Sequence, residues 1–122
     1  MTALSRPEEL RARTKQFAVH VVGFCRSLPR TDEARIMGRQ LLRSATSVAA
    51  NYRAAGRSRS RAEFIAKMGL VVEEADESVF WLEILSDCGI VSKDRIESLL
   101  GEANELLAIF AASHRTARVH QQ

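Results

Sequence analysis

The chemically most distinctive part of the chain is a cluster of basic residues between two long amphipathic segments. Four arginines and a lysine lie close together, with Glu63 as the single acid among them. The cluster consists of Arg53, Arg57, Arg59, Arg61 and Lys67. Guanidinium groups, serine hydroxyls and the free N–H groups of a helix start can together bind phosphate oxygens. The cluster is therefore a candidate nucleic-acid-binding site, and the alternative is a solvated basic turn.

The basic cluster surrounds the predicted start of a helix. Ser60 followed by Glu63 has the spacing of a capping box, and Gly56 suits the left-handed residue that often ends the preceding helix. Positive charge at a helix start opposes the macrodipole and costs about 0.3 kcal/mol or more per residue. Since stability alone does not favour arginines at this position, we expect them to bind an anion.

The helical segment after the basic cluster contains six carboxylates and no basic residue. If the two segments fold back as a hairpin, Arg43 lies beside Glu73 or Glu74, and Arg39 approaches Glu77. We expect these residues to form structural ion pairs partly inside the protein, where loss of one partner would cost about 3–5 kcal/mol.

Hydrophobic periodicity predicts four helices. Apolar residues recur at steps of three and four over residues 6–28, 33–55, 61–88 and 93–115. Few helix-breaking residues interrupt these segments, because the chain has two prolines and six glycines. Short links favour antiparallel neighbours, so we expect residues 1–122 to form a single all-α domain, an antiparallel up-down four-helix bundle.

The third predicted helix carries more apolar surface than one bundle seam can bury. Phe80, Trp81 and Ile84 form a stripe outside the main seam, and a stripe of this kind on a monomer would be an exposed apolar patch. We therefore expect self-association into a homo-oligomer.

Several classes of protein are disfavoured by the composition. The first residues are charged and no run of eighteen uncharged apolar residues occurs, so we expect a cytoplasmic protein without membrane contact. Cys25 and Cys88 are isolated and predicted to be buried free thiols. No nucleophile–base spacing, glycine-rich phosphate loop or metal-ligand repeat is present, so we expect no enzyme activity, no cofactor and no metal.

Four segments carry a resemblance to a known family. They are Ser27–Pro29 (SLP), Arg39–Ser60 (RQLLRSATSVAANYRAAGRSRS), Glu63–Phe64 (EF) and Glu73–Leu85 (EEADESVFWLEIL). The chain resembles the four-helix bundle protein family also called the ribosomal RNA intervening-sequence proteins. Many members have Asn-Ile-Ala-Glu-Gly where this chain has Asn51 to Gly56, and the glutamate is lost here.

The resemblance implies a four-helix up-down bundle that assembles as a ring, commonly a homopentamer. It also implies similarity to the accessory variability determinant of diversity-generating retroelements, which is thought to bind nucleic acid through basic surfaces. Two functions are then open. The first is a non-catalytic, oligomeric nucleic-acid-binding protein that uses the basic cluster. The alternative is a protein-protein interaction scaffold, or accessory subunit, that uses the stripe of Phe80 and Trp81 together with the acidic face of the third helix.

Overall fold

The computed structural model describes residues 4–120, which form a four-helix bundle. The helices are α1 (Arg6–Arg26), α2 (Asp32–Ala55), α3 (Arg61–Asp87) and α4 (Lys93–Val119). The all-α class and the predicted order of helices are confirmed, and no strand occurs among the described residues. Helix α1 ends two residues earlier than predicted, and α4 continues for one more turn.

Each helix begins at a hydroxyl residue that caps it. The side-chain oxygens of Ser5, Thr31, Ser60 and Ser92 each accept a hydrogen bond from the backbone N–H three residues later. This bond satisfies one of the backbone donors that a helix start leaves free. At Ser5 the capping box is complete, because Glu8 also accepts a bond from the Ser5 N–H at 3.1 Å. The caps fix where each link ends and each helix starts.

Two glycines end helices in different ways. Gly89 follows α3 with φ of 71°, and the Ile90 N–H donates to the Leu85 carbonyl at 3.0 Å, so the chain reverses sharply there. Gly56 was expected to do the same after α2, but its φ of −66° is right-handed and the prediction is wrong. The N–H of Arg57 donates instead to the Ala54 carbonyl at 3.0 Å, so α2 tightens into a final 3₁₀-type turn and needs no reversal.

The core runs the length of the bundle and contains side chains from all four helices. The predicted core faces are confirmed, with the largest fully buried side chains at Phe17, Leu41, Met68, Leu82, Leu85, Leu106 and Phe110. The most extensive helix–helix contact is between α2 and α3, and the contact between α1 and α4 is the thinnest. A bundle held mainly through α2 and α3 leaves the outer flanks of α1 and α4 more accessible.

The α2–α3 contact contains one buried polar link. The Ser78 hydroxyl lies 3.0 Å from the Ser44 hydroxyl and 2.9 Å from the Glu74 carbonyl, and both serines are fully buried. The neighbouring Ala45 is also completely buried. Small side chains at this contact allow α2 and α3 to approach closely, and the paired hydroxyls leave neither oxygen without a partner.

None of the helices within residues 4–120 combines the length and the apolar character needed to cross a membrane.

The close approach of α2 and α3 predicts the effect of enlarging Ala45. Ala45→Leu should destabilise the bundle by about 1–3 kcal/mol, because a well-packed contact must move apart to accept the larger side chain. The matched control is Ala50→Leu, an identical change on the exposed side of the same helix. Urea unfolding followed by circular dichroism would measure both, and equal stability of the two variants would contradict the close packing.

Candidate nucleic-acid interface

The two halves of the chain carry opposite net charge. Residues 1–60, which include α1 and α2, contain twelve basic and four acidic residues, a net charge of +8. Residues 61–122, which include α3 and α4, contain six basic and eleven acidic residues, a net charge of −5. Because α1 packs on α2 and α3 packs on α4, the bundle has a basic layer and an acidic layer.

A groove between α1 and α2 gathers part of this positive charge. Its volume is about 840 Å³, and its cationic side chains are Arg11 and Lys15 of α1, Arg53 of α2 and Arg57 of the following turn. Arg11 and Lys15 are four residues apart and lie on the same side of α1, and Arg57 follows Arg53 by four residues in the turn after α2. The remaining lining residues are Ala12, Thr46, Ala49, Ala50 and Gly56. We call this site the α1/α2 basic groove.

The chemistry of the α1/α2 basic groove suits a phosphate backbone. No acidic residue lines it. Guanidinium groups can donate two hydrogen bonds to one phosphate, and a lysine adds a point charge. The small side chains between the cations leave room for a polymer backbone to come close to the helix surface. The groove is thus an open cationic channel lined by basic and small side chains.

The structure divides the basic cluster that the sequence predicted. Arg53 and Arg57 line the α1/α2 basic groove. Arg59 and Arg61 are exposed at the same end of the bundle, but they do not line the groove. Lys67 is half-buried in the second turn of α3. Three of the five predicted residues therefore lie outside the groove.

Sequence reasoning missed Arg11 and Lys15. In an antiparallel pair the start of α1 lies beside the end of α2, so these residues meet Arg53 and Arg57 despite a separation of about forty positions. The signal available was their spacing of four on α1, combined with the complete absence of acids in residues 10–31 and 34–62. Reading both helices as one surface would have found the groove.

Tyr52 lies on α2 next to Arg53, one of the residues that line the groove. Its ring is half-buried and lies 4.9 Å from the ring of Phe110, measured between centroids. Burial raises the pKa of the Tyr52 phenol, and the positive charges of Arg11 and Arg6 partly offset that rise. The phenol is thus neutral at pH 7 and packed against the core, so it supports the groove and does not act as a platform for bases.

Arg43 pairs with two carboxylates of α3. Its Nη1 lies 3.2 Å from Glu74 Oε2, and its Nη2 bonds to Glu77. The Arg43 side chain is 46% exposed, whereas those of Glu74 and Glu77 are 19% and 34% exposed, so the cluster is partly buried, as predicted for these pairs. Because Arg43 itself reaches solvent, its loss should cost about 1 kcal/mol or less, below the value expected for a fully buried pair.

The partners of the other predicted ion-pair residues differ from expectation. Glu77 pairs with Arg43, while Arg39 is exposed at the other flank of α2 and is in none of the ion pairs within residues 4–120. Glu73 is exposed, and Arg43 pairs with Glu74 and not with Glu73. The predicted hairpin placed the correct stretches of α2 and α3 side by side. It did not predict on which flank of α2 each arginine lies.

The hydrogen bond from Arg43 lowers the pKa of Glu77. Desolvation of the carboxyl opposes this effect, and a bond from Trp81 Nε1–H to Glu77 Oε1, at 3.2 Å, adds to it. Glu77 therefore remains ionised to lower pH than an ordinary glutamate. Arg43 and Glu77 join α2 to α3, and Trp81 lies within the same network.

A second ion-pair cluster, which the sequence did not predict, joins α1 to α4. Arg13 donates to both carboxylate oxygens of Glu102, at 2.6 and 2.9 Å, and lies 3.3 Å from Glu105. The bonds to Glu102 raise the pKa of the Arg13 guanidinium. Since this arginine is held across the thinnest helix contact, it stabilises the bundle and is not available to the basic groove.

The two cysteines lie in different environments. Cys25 is half-buried, and burial raises the pKa of its thiol to about 11. Cys88 caps the end of α3 and is exposed, so the prediction that both thiols are buried is wrong for Cys88. Within residues 4–120, no group of three or more His, Cys, Asp or Glu side chains is placed to hold a metal ion.

Comparison with known proteins identifies a family and similar solved structures. The family model described as 23S rRNA-intervening sequence protein matches residues 9–112. A crystal structure at 1.70 Å of a protein of unknown function from the S23 ribosomal protein family of Bacteroides thetaiotaomicron VPI-5482 is similar, with 29% sequence identity and a TM-score of 0.83. The match covers 91% of this chain and 99% of that one. No curated protein matches the chain.

The Glu77 network predicts a pH dependence that tryptophan fluorescence can measure. Because the folded pKa of Glu77 is depressed, its pairing stabilises the protein above the ordinary glutamate pKa of about 4.3 and is lost as pH falls through the folded value. Trp81, the one tryptophan in the chain, should report this transition with a midpoint below about 4.3. Arg43→Gln should raise the midpoint towards the ordinary value and destabilise the protein by about 1 kcal/mol or less.

Two variants control this titration. Arg39→Gln removes the same charge from the opposite flank of α2 and should leave the midpoint unchanged. Glu77→Gln should remove the transition. An identical midpoint in the parent and in Arg43→Gln would mean that Arg43 does not govern the ionisation of Glu77.

Proposed function

We propose that this chain, which belongs to the 23S rRNA-intervening sequence protein family, is a non-catalytic cytoplasmic protein that binds the phosphate backbone of nucleic acid through the α1/α2 basic groove. The observation that carries the proposal is the groove itself, where Arg11, Lys15, Arg53 and Arg57 surround an open channel without any acidic lining residue. A polyanion supplies the negative charge that this surface lacks.

The strength of such binding depends on counterion release. Each phosphate neutralised by a lysine or arginine makes the slope of log affinity against log salt more negative by about 0.7–0.9. Four cations in one groove can give a slope of about −3, which corresponds to weak binding at physiological salt. The proposed site therefore becomes effective only when several grooves act on one nucleic acid, or when further contacts are added.

We propose in addition that the protein forms a homo-oligomer, with a ring-shaped pentamer as the expected form. Support comes from Phe80 on α3, which is 49% exposed and packs edge-on against Trp81 with ring centroids 4.9 Å apart. An exposed phenylalanine in an acidic surface, packed on a half-buried tryptophan, fits burial against a second subunit. Repetition of the groove around an oligomer would raise affinity through effective concentration.

The alternative function is a protein-protein interaction scaffold or accessory subunit that makes no contact with nucleic acid. The same exposed Phe80 and the acidic surface of α3 support it, because a basic partner protein could bind there. The two proposals place the partner on opposite layers of the bundle. Substitutions in the basic layer therefore test nucleic-acid binding without altering the surface proposed for a partner protein.

Binding to nucleic acid predicts a large effect of neutralising the groove. The combined variant Arg11→Gln, Arg53→Gln, Arg57→Gln should bind a labelled RNA hairpin with single-stranded flanks at least about tenfold more weakly at low salt, with a salt slope shallower by about 2. Fluorescence anisotropy at several salt concentrations measures both quantities. Circular dichroism should show unchanged helix content, since these side chains lie outside the core.

The control for the groove variant is Arg115→Gln with Arg118→Gln, which removes two positive charges where the groove variant removes three. Both arginines are exposed on α4, away from the groove lining, so the control alters net charge with little effect on binding. Equal weakening in the two variants would point to net charge alone and contradict a localised site. A parent protein that binds no RNA at low salt would favour the scaffold.

Self-association predicts the effect of removing the exposed aromatic side chain. The parent should have a mass of several times 13.6 kDa by light scattering, and Phe80→Ser should shift the distribution towards one chain. Val19→Ser is the control, because Val19 is similarly exposed on α1. A parent that remains a single chain at micromolar concentration would overturn the proposed oligomer.

A further inference from the structure

We infer that the nucleic acid bound by this protein is a double helix that lies along α1 and α2 and contacts a second cationic cluster at the far end of the same two helices. The inference rests on the proposed function and specifies its ligand. It depends on the position of that second cluster, on its distance from the α1/α2 basic groove, and on the absence of surfaces for unpaired bases.

The second cluster surrounds a smaller groove where α1 ends and α2 begins. The volume of this groove is about 320 Å³. Its cationic side chains are Arg26 and Arg30 from the end of α1 and the link, and Arg35 and Arg39 from α2. No acidic residue lines it. The α1–α2 layer thus has four cations at each end.

Intramolecular partners do not neutralise these eight cations. Of the ion pairs within residues 4–120, the single one that includes any of them joins Arg35 to Asp32 at 3.8 Å, and both of its side chains are mostly exposed. A surface pair of this kind contributes little. By contrast, Arg13 and Arg43, which lie on the outer flanks of the layer, are both held by carboxylates. Other cations without an ion pair occur elsewhere on the bundle, but these eight line two grooves between α1 and α2 that have no acidic lining residue.

The helices fix the distance between the two clusters. Fourteen residues separate Arg39 from Arg53 on the uninterrupted helix α2, which corresponds to about 21 Å. Eleven residues separate Lys15 from Arg26 on α1, or about 16 Å. A duplex presents a regular phosphate every 3.4 Å or so along each strand, and about five or six base pairs therefore span the two clusters. A rigid ligand can meet both clusters without first being ordered.

A single strand lacks the contacts that normally hold it. Proteins that bind single strands stack bases on exposed aromatic side chains, at about 1–3 kcal/mol per base. Of the described aromatic residues, Phe80 is the one whose side chain is exposed, and it lies on α3 in the acidic layer. Phe17 and Phe24 of α1 are buried, and Tyr52 of α2 is packed against Phe110. Among the described residues, the α1–α2 surface therefore offers phosphate contacts and no exposed phenylalanine, tyrosine or tryptophan for stacking.

The shape of this surface also opposes base reading. Two helices side by side, each about 10–12 Å across with side chains, are wider than the major groove of about 12 Å. The pair therefore rests on the phosphate ridges of a duplex and contacts no base edges. Recognition of this kind depends on shape and charge, with little dependence on sequence.

The first experiment tests whether the protein binds paired strands more tightly than unpaired strands. The full-length protein is titrated by anisotropy against an RNA duplex and a DNA duplex of about 16 base pairs, and against the unpaired strand of each, at several salt concentrations. Either duplex should bind at least about tenfold more tightly than its own single strand. The two duplexes show which backbone fits better, and a preference for paired over unpaired strands in either supports the inference.

A second measurement tests the far cluster. The combined variant Arg30→Gln, Arg35→Gln, Arg39→Gln should weaken duplex binding about tenfold and reduce the salt slope by about 2, although it leaves every lining residue of the α1/α2 basic groove unchanged. The exposed pair Arg115 and Arg118, replaced by glutamine, is the control and should bind duplex nearly as the parent does.

The outcomes separate this inference from the proposed function. If single strands bind as tightly as duplexes, or if the far-cluster variant binds duplex as the parent does, the inference is wrong, while binding through the groove still stands. If the parent binds neither form at low salt, both are wrong. Weaker duplex binding in the far-cluster variant, together with preference for duplex, supports a double helix across both clusters.

Discussion

The close contact between α2 and α3 is the constraint on which the rest of the molecule depends. It is the most extensive helix contact, and it is formed around Ala45 and the paired hydroxyls of Ser44 and Ser78, all completely buried. A register shift along this contact would break the bond between the Ser44 and Ser78 hydroxyls and misplace the small side chains at the contact, although each hydroxyl keeps a carbonyl of its own helix as a partner. The register that remains places Arg43 against Glu74 and Glu77, and it turns the opposite flank of α2 towards α1.

The same register explains why charge accumulates on one layer. Helix α2 has two flanks, and the carboxylates of α3 reach one of them, where they neutralise Arg43. Helix α1 faces the other flank, and after its first turn it has no acidic residue to offer. The arginines of α2 on that side thus meet further cations from α1. Like charges that share a surface destabilise a bundle modestly, so the fold alone gives no reason to gather them there, and this is the ground on which an anionic ligand is proposed.

Local features of the fold could be predicted from the sequence, because they depend on neighbours within one turn of helix. Caps at Ser5, Ser60 and Ser92, the left-handed Gly89 and the apolar seams are of this kind. Gly56 resembled Gly89 in sequence, but the conformation of a glycine after a helix depends on the path of the following chain, which local sequence does not specify.

Features that depend on two distant helices could not be predicted. The pairing of Arg13 with Glu102, the flank on which Arg39 lies, and the meeting of Arg11 with Arg53 each require the rotation of one helix relative to another. An error of one residue in helical phase turns a side chain by about 100°, which moves it to a different surface. The predicted basic cluster therefore contained two residues of the groove and three that lie outside it.

The separation of the two layers also determines how binding and assembly can coexist. The exposed Phe80, packed on the half-buried Trp81, lies on α3, in the layer opposite the basic groove. Association of subunits through α3 would therefore bury apolar surface without covering α1 and α2. Each added subunit would then present another unneutralised groove to the same nucleic acid, so that weak electrostatic contacts reinforce one another through effective concentration. A surface of modest charge on one chain can act in this way as a strong polyanion-binding surface on an assembly.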